Sequence, residues 1–275
     1  MNSHQDQPAT PIAMLKSLWY NRQLIGQMTQ REVVGRYRGS IIGLAWSFFN
    51  PLLMLLIYTF VFSVIFKARW GVSGESKADF AIILFVGMIV HGLFAECINR
   101  APGLIISNVN YVKKVVFPLE ILPWVAMGSA LFYSMVSTAV LLVAQLIIKH
   151  SLPWTSLFFP MVLLPLVFVS MGFAWFLAAL GVFVRDIGQV TNIFTTILLF
   201  FSPVLYSVSS LPEKYRILLQ LNPLTLIIEE SRKVLVFRQL PDWSSLGSEL
   251  AVSMIIAAVG FWWFQKMRKG FADVL

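Results

Sequence analysis

Charge is what this sequence has least of. Only 12% of its 275 residues are Asp, Glu, Lys or Arg, while 58% are hydrophobic. A water-soluble domain carries roughly 25% charged residues, so a soluble globular protein is excluded and an integral membrane protein remains. Cysteine occurs once, at Cys97, which rules out an internal disulfide. The polar start "MNSHQDQPATPI" has no basic segment before an apolar run, so no secretory signal is expected. Motifs of chemistry are missing too. The stretch "GVSGESK" (Gly71–Lys77) lacks the G-x-x-x-x-G-K-[ST] spacing of a phosphate-binding loop, and neither H-E-x-x-H, C-x-x-C nor G-x-S-x-G occurs. No catalytic or metal-ligating constellation follows, so any work on a substrate must be powered from outside the chain. Acidic groups and histidine are also nearly missing from the long apolar runs. His91 and Glu96 lie in one half of the second run and Glu249 at the start of the last. Ion-coupled carriers place such groups inside the bilayer, so a proton or sodium carrier is disfavoured, and His91 reads as a hydrogen-bonded interior group.

What is present in quantity is apolar length. A helix needs about 20 apolar residues to cross the hydrocarbon core. Runs of that order lie near Ile41–Phe66, Phe80–Ile98, Ile121–Ile148, Leu157–Val184, Ile187–Tyr206 and Leu246–Phe264. They predict an all-α membrane protein with six transmembrane helices, since the alternation of a membrane barrel is absent. Residues 1–11 read as a disordered N-terminus and 12–275 as a single transmembrane domain. Lysine and arginine set the orientation. With the N-terminus inside, Lys16, Arg22, Arg31, Arg36, Arg38, Arg100, Lys113, Lys114, Arg185, Lys266, Arg268 and Lys269 are cytoplasmic. The outer side then holds fewer, most of them in the single segment Ser207–Ser245. Both termini are therefore expected in the cytoplasm. The basic excess fits topology and contact with anionic membrane lipids, and no nucleic-acid partner is expected.

Between Ile12 and Tyr37, apolar residues recur at helical spacing among basic and amide side chains, the pattern of an amphipathic helix lying in the interface. Gly35, Gly39 and Gly43 follow four apart and read as a bend into the first span. That span opens with Trp46 and is interrupted by Asn50-Pro51. The segment Asn99–Pro123 is too polar to cross. Its part Ser107–Phe117 is expected to form one short cytoplasmic helix stopped by Phe117-Pro118, either an ordinary connection or a docking element. Arg185-Asp186 forms a tight turn whose charges are expected to cap the adjoining helices. Ser209–Trp243 holds two short re-entrant or external helices between spans five and six. One starts at Ser210 and Pro212, the other at Asn222-Pro223 with asparagine as N-cap. On the second, Leu224, Ile227, Ile228, Ser231 and Leu235 face away from Glu229, Glu230, Arg232 and Lys233. Aromatics are abundant at 14%. Most suit interfacial belts, though mid-span Tyr58, Phe62, Phe194, Phe200 and Phe201 can wall a passage for sugar rings.

Four segments in this order carry a resemblance: "RYRGSIIGLAWSFFNPLLMLLIYTFVFSVIF", "NVNYVKKVVFPLEILP", "VFVRDIGQV" and "SPVLYSVSSLPEKYRILLQLNPLTLIIEESRK". Over about Leu24–Phe264 the chain resembles the permease subunits of bacterial type-2 ABC exporters for O-antigen, capsular polysaccharide and teichoic acid. The resemblance implies a homodimeric channel in the bacterial inner membrane, bound to two copies of a separate cytoplasmic ABC ATPase that carries the ATP and magnesium. This chain is then a transporter subunit without a cofactor of its own, not an enzyme. The cargo implied is an undecaprenyl-pyrophosphate-linked glycan, O-antigen first. Trp46, Tyr58, Phe62, Phe201 and Tyr206 are implied to line the passage, with Arg36 and Arg38 at its cytoplasmic entrance. Asn108, Tyr111, Lys113 and Lys114 are implied to couple to the ATPase, and Asn222, Pro223, Glu229 and Arg232 to form the periplasmic gate region. The alternatives are export of a small lipid or drug by the same kind of machine, and an ATP-independent membrane channel.

Overall fold

In hydrocarbon no water can satisfy a backbone N–H or C=O, and a helix satisfies both within one segment. A computed structural model describes residues 9–61, 77–113, 117–208, 212–220 and 222–275, and every regular element among them is helical. The chain begins with α1 (Pro11–Tyr20) and α2 (Arg22–Gly35), then runs through α3 (Trp46–Tyr58), α4 (Lys77–Arg100) and the short α5 (Val109–Lys113). Next come α6 (Leu122–Lys149), α7 (Phe159–Val162), α8 (Leu164–Phe183) and α9 (Ile187–Phe201). The short α10 (Glu213–Gln220) and α11 (Pro223–Arg232) precede α12 (Trp243–Met267) and α13 (Phe271–Val274).

Among the described residues, five helical stretches are long and apolar enough to cross a membrane: Gly43–Val61, Asp79–Gly103, Leu119–Lys149, Trp154–Phe183 and Trp243–Val274. The expected span at Ile187–Tyr206 is shorter than its sequence suggested. Helix α9 has 15 residues, about 22 Å of rise, against a core of about 30 Å. It stops at Phe201 because Ser202 precedes Pro203, and a residue before proline is pushed out of the helical region. Ser202 is extended, with φ −105° and ψ 153°. Proline acts differently in the first span. Helix α3 runs through Pro51 without ending, so the expected interruption does not occur. The last part of that span, residues 62–66, lies outside the described residues.

The amphipathic N-terminal segment is two helices instead of one. They meet at Asn21, whose side chain donates to the Ser17 carbonyl at 2.8 Å. Of the N-terminus expected to be disordered, residues 1–8 lie outside the described residues; Thr10 Oγ1 accepts from the Ala13 N–H at 3.2 Å and Pro11 opens α1. Met14, Ile25 and Val33 point inward while Ile12, Trp19 and Tyr20 are exposed. After Gly35 the chain turns sharply, with Gly39 at φ +88° and Gly43 at φ +57°. Those are left-handed conformations that only glycine adopts without strain, so the expected bend is present and has a backbone cause.

The interior is organised on α8, which packs against α12 along most of its length. Their backbones nearly touch. A Cβ on Gly260 would fall 2.1 Å from the Gly172 carbonyl oxygen, and one on Gly172 would fall 2.6 Å from that of Ile256. Small residues at such crossings let membrane helices approach closely. Trp175 of α8 is fully buried, stacks edge-on against Trp124 and Phe261, and donates its indole N–H to the Glu120 carbonyl at 3.0 Å. Helix α12 starts at Asp242, whose carboxylate accepts from the Ser244 and Ser245 hydroxyls and backbone N–H groups. The Ser244 and Ser245 side chains hold that carboxyl well below the usual range. At the opposite turn Asp186 stands at the N-cap position of α9 and Arg185 just past the end of α8, where their charges suit the two helix dipoles, although the Asp186 side chain makes no cap hydrogen bond.

Because a side chain at Gly260 has nowhere to go, Gly260→Leu is expected to force α8 and α12 apart. Overpacking of this kind costs at least about 1–3 kcal/mol. The midpoint of thermal unfolding in detergent should fall clearly for that variant and stay near wild type for lipid-facing Val259→Leu. Equal midpoints would show that the crossing tolerates a side chain.

Candidate functional site

Three groups of polar side chains interrupt the apolar interior. The first joins the N-terminal helices to the bundle. Glu32 and Arg36 lie one turn apart on α2 and at its end, and Glu96 and Arg100 lie one turn apart on α4. They pair crosswise, Arg36 with Glu96 and Arg100 with Glu32, and Arg100 also approaches Glu96 at 3.4 Å. The Arg36 guanidinium lies 4.6 Å from the centre of the Tyr133 ring, a favourable cation–π position. Tyr37 meets Tyr133 edge-on, and burial first, then Tyr133, pushes its phenol up to about 12. Nearby, Thr29 fills the space over Gly128, where a Cβ would fall 2.7 Å from its hydroxyl. A second tie runs from Ser17 to Glu120 at 3.3 Å and from Glu120 to Arg268 at 2.7 Å, and Arg268 also donates to the Phe117 carbonyl at 3.0 Å.

The second group lies on the connection between α4 and α6. The expected helix Ser107–Phe117 is a 3-10 turn (Ile106–Asn108) followed by α5. Asn108 donates to the Leu104 carbonyl at 2.8 Å, and Tyr111 stacks on Phe117 at 4.4 Å between ring centres. The two aromatic rings therefore close the segment on itself, and α13 packs beside it. Lys114 lies outside the described residues, and of Lys113 only the backbone is described.

The third group surrounds α11. Asn222 caps this helix, its Oδ1 accepting from the Leu224 N–H at 3.0 Å. Its Nδ2 donates to Ser202 Oγ at 2.8 Å and to the Phe201 carbonyl at 3.2 Å, which fixes the start of α11 to the end of α9. Leu224, Ile227, Ile228, Ser231 and Leu235 are fully buried, as their spacing predicted. Arg232 and Glu230, expected on the outer face, are buried as well. The reason is that each finds partners inside. Arg232 reaches Glu229 at 2.7 Å, the Val204 carbonyl at 3.1 Å and the Ile83 carbonyl at 3.3 Å. Glu230 holds Lys233 at 2.6 Å and accepts from the Asp242 N–H at 2.9 Å. Gly87 makes room for Arg232, since a Cβ there would fall 3.1 Å from the guanidinium. Burial lowers the Arg232 guanidinium to about 10, with Glu229 opposing part of that effect, so it remains a cation at neutral pH. The turn after α11 is tied down by Gln145 and Thr155, which donate to the Leu235 and Val234 carbonyls at 2.9 Å and 2.6 Å.

Among the described residues, the expected passage residues do not line one cavity of the single chain. Trp46 is exposed and donates to Ser40 Oγ at 3.0 Å, Phe201 is exposed at the end of α9, and the Tyr206 hydroxyl donates to the Phe200 carbonyl at 3.1 Å. Phe62 lies outside the described residues. Arg38 is exposed and forms no ion pair among the described residues. Arg36 and Tyr58, however, line one cavity of about 290 Å3 between α3, α4 and α6, together with Glu96, Tyr133 and Ser134. His91 takes the role expected of it, bonding the Thr195 carbonyl of α9 at 2.9 Å from a buried position. The residues missed in the sequence are Glu32, Arg100, Glu120, Tyr133, Ser134 and Arg268. One signal for the first two was present: E-x-x-x-R occurs twice, as "EVVGR" (Glu32–Arg36) and "ECINR" (Glu96–Arg100).

These features belong to a helical membrane protein whose polar groups are structural ties, and comparison with known proteins gives it a family. The pattern described as ABC-2 type transporter matches residues 23–236. The chain belongs to that family and is a permease subunit of type-2 ABC exporters, not an enzyme. It is 27% identical over 264 residues to an O-antigen export system permease protein of Myxococcus xanthus, covering 95% of this chain and 99% of the relative. A Klebsiella pneumoniae O-antigen export system permease protein is 25% identical, with 96% and 99% covered. The polysialic acid transport protein KpsM of Escherichia coli is 24% identical over 84% of this chain and 88% of its own length.

Removing the arginine that three elements share should loosen the α11 region. Arg232→Leu is expected to destabilise the protein by about 1–3 kcal/mol, the cost of leaving the buried Val204 and Ile83 carbonyls without their donor, since Glu229 is 36% exposed and stays solvated. Arg232→Lys should recover only part, because an ammonium cannot fork to a carboxylate and two carbonyls. Thermal midpoints measured side by side in detergent test this, and three equal values would reject it.

Proposed function

We propose that this permease is the channel-forming subunit of an ATP-driven exporter that moves a lipid-linked polysaccharide, O-antigen first among candidates, from the cytoplasm to the periplasm. The observation that carries this reading is likeness over nearly the whole chain to permeases named for O-antigen export. Two copies form the channel, and two copies of a cytoplasmic ABC ATPase supply ATP and magnesium. The protein resides in the bacterial inner membrane with both termini in the cytoplasm, and α9 completes a sixth crossing with help from the segment after Phe201.

The geometry supports particular roles. Aromatic and apolar side chains of α3 and α9, including Trp46, Phe49, Phe194 and Phe201, are exposed in the single chain. A second copy placed there covers them and makes a passage walled by Trp46, Tyr58, Phe62, Phe201 and Tyr206. Asn108, Tyr111, Lys113 and Lys114 form the ATPase-facing surface around α5. Asn222, Pro223, Glu229 and Arg232 hold α11 at the outer end, where it gates release of the glycan. Arg36 is engaged by Glu96, which leaves Arg38 as the freer cation to meet a pyrophosphate group at the entrance.

Tagged protein gently extracted from its own host is expected to copurify one ABC ATPase per permease, and deletion of the gene should remove a surface glycan. A clean homo-oligomer without a nucleotide-binding partner would instead support a channel. Arg38→Ala should lower export while insertion and dimerisation persist; unchanged surface glycan in that variant would remove Arg38 from the entrance.

A further inference from the structure

Both oxygens of one buried carboxylate are taken by different helices. Glu120 stands in the 3-10 turn between Pro118 and α6 and is 8% exposed. Its Oε1 accepts from the Ser17 hydroxyl of α1 at 3.3 Å, and its Oε2 accepts from Arg268 at the end of α12 at 2.7 Å. Its backbone carbonyl accepts from Trp175 of α8 at 3.0 Å. The second arm of the Arg268 guanidinium reaches back across Pro118 and donates to the Phe117 carbonyl at 3.0 Å. The Phe117 ring in turn is stacked on Tyr111 of α5. A continuous line of contacts therefore leaves α5 through Tyr111 and Phe117, passes through Arg268, and divides at Glu120 toward α1 and α12. Beyond Arg268, the fully buried Phe271 meets the rings of Phe264 and Phe183, and α13 packs against both α5 and α8. The last turn of the chain thus braces the same connection.

Stability alone does not call for such an arrangement. Taking a carboxylate and a guanidinium out of water costs desolvation, and replacing a buried ion pair by apolar residues of similar volume is often neutral or stabilising. What the pair supplies, and leucine or methionine does not, is a fixed relative position. The planar fork of Arg268 holds a carboxylate oxygen and a carbonyl oxygen at set angles. Proline adds stiffness between those two points, because its ring locks φ, here at −73° for Pro118. One guanidinium therefore grips both ends of the stretch from Phe117 to Glu120, and that stretch moves as a unit. A displacement of α5 is passed on at Glu120 instead of being absorbed in the connection.

We propose that Glu120 and Arg268 are a positioning pair, which carries the movement that a docked ATPase imposes on α5 to α1 and to the C-terminal end of α12. The surface helix and the last span then shift together with α5. This deepens the export reading and rests on it for α5 as the ATPase-facing surface.

The permease, in complex with its copurified ATPase in lipid nanodiscs, is to be followed by hydrogen–deuterium exchange with and without ATP, magnesium and vanadate. In wild type, nucleotide is expected to change exchange in peptides covering α5, α1 and residues 264–275. Glu120→Ala alone leaves a guanidinium without its carboxylate and invites misfolding, so the test uses Glu120→Leu combined with Arg268→Met, which removes both charges. This double variant should assemble with the ATPase in wild-type stoichiometry and keep the α5 response. Its response at α1 and at residues 264–275 should fall roughly tenfold, the scale of one lost hydrogen bond to a charged group. Arg268→Lys, which keeps the ion pair and loses the fork, should recover part of that response. Equal responses at α1 and residues 264–275 in wild type and the double variant overturn the proposal and leave the export reading standing. An α5 response in wild type with none at α1 or residues 264–275 does the same. A double variant that no longer assembles, or whose α5 response falls in proportion, reduces the pair to a structural tie and also overturns the proposal. A wild-type complex whose α5 peptide ignores nucleotide overturns both the proposal and the reading of α5 as the ATPase-facing surface.

Discussion

A polar group that leaves water for the space between these helices must find its partner within the protein, and most of the architecture follows from how that demand is met. Backbone groups meet it by helix formation. Side chains meet it in pairs that cross between helices, because neighbours on one helix cannot satisfy every donor. Arg232 joins α11 to α4 and to the segment after α9. Glu120 receives Ser17 from α1 and Arg268 from the end of α12, while its carbonyl receives Trp175 from α8. His91 joins α4 to α9. Each tie serves as a specific address between elements that apolar packing alone would leave free to slide.

Packing is uneven across the molecule, and that unevenness locates the working surfaces. Helices α8 and α12 meet at backbone distance through Gly172 and Gly260. The apolar window of α4 is 78% buried, whereas that of α3 is only 11% buried. One side of the protein is therefore closed and rigid, and the side formed by α3 and α9 offers aromatic surface still to be covered. The proposed passage between two copies rests on that uncovered side.

The sequence and structure agree where the signal is local. Apolar length marked six runs, of which five are helices long enough to cross, glycine spacing marked the bend before α3, and Asn222-Pro223 marked the start of α11. They disagree where the outcome depends on a distant residue. Arg232 reads as a surface cation until Ile83, Val204 and Gly87, all remote in sequence, are seen to surround it. Ser202-Pro203 ends α9 early although the apolar run continues past it. The two E-x-x-x-R pairs have the spacing of same-helix pairs, and only the crosswise register of α2 against α4 turns them into a clamp. The cavity was least legible, since it is made by small residues on three helices and by a gap that no single segment encodes.

Helix α4 has a mechanical consequence. At one end Glu96 and Arg100 fasten it to α2, and at the other Asp79 holds Lys149 and the Ile83 carbonyl holds Arg232. The peptide chain from α2 to α3, by contrast, passes through two left-handed glycines and is tied to itself by short-range bonds, such as those from Arg38 to Gly35 and from Trp46 to Ser40. A displacement of α2 would therefore load α4 directly at Glu96 and Arg100, about 20 Å along the rod from Ile83. In that linkage the side-chain clamp, and not the covalent path, joins the two faces of the bundle.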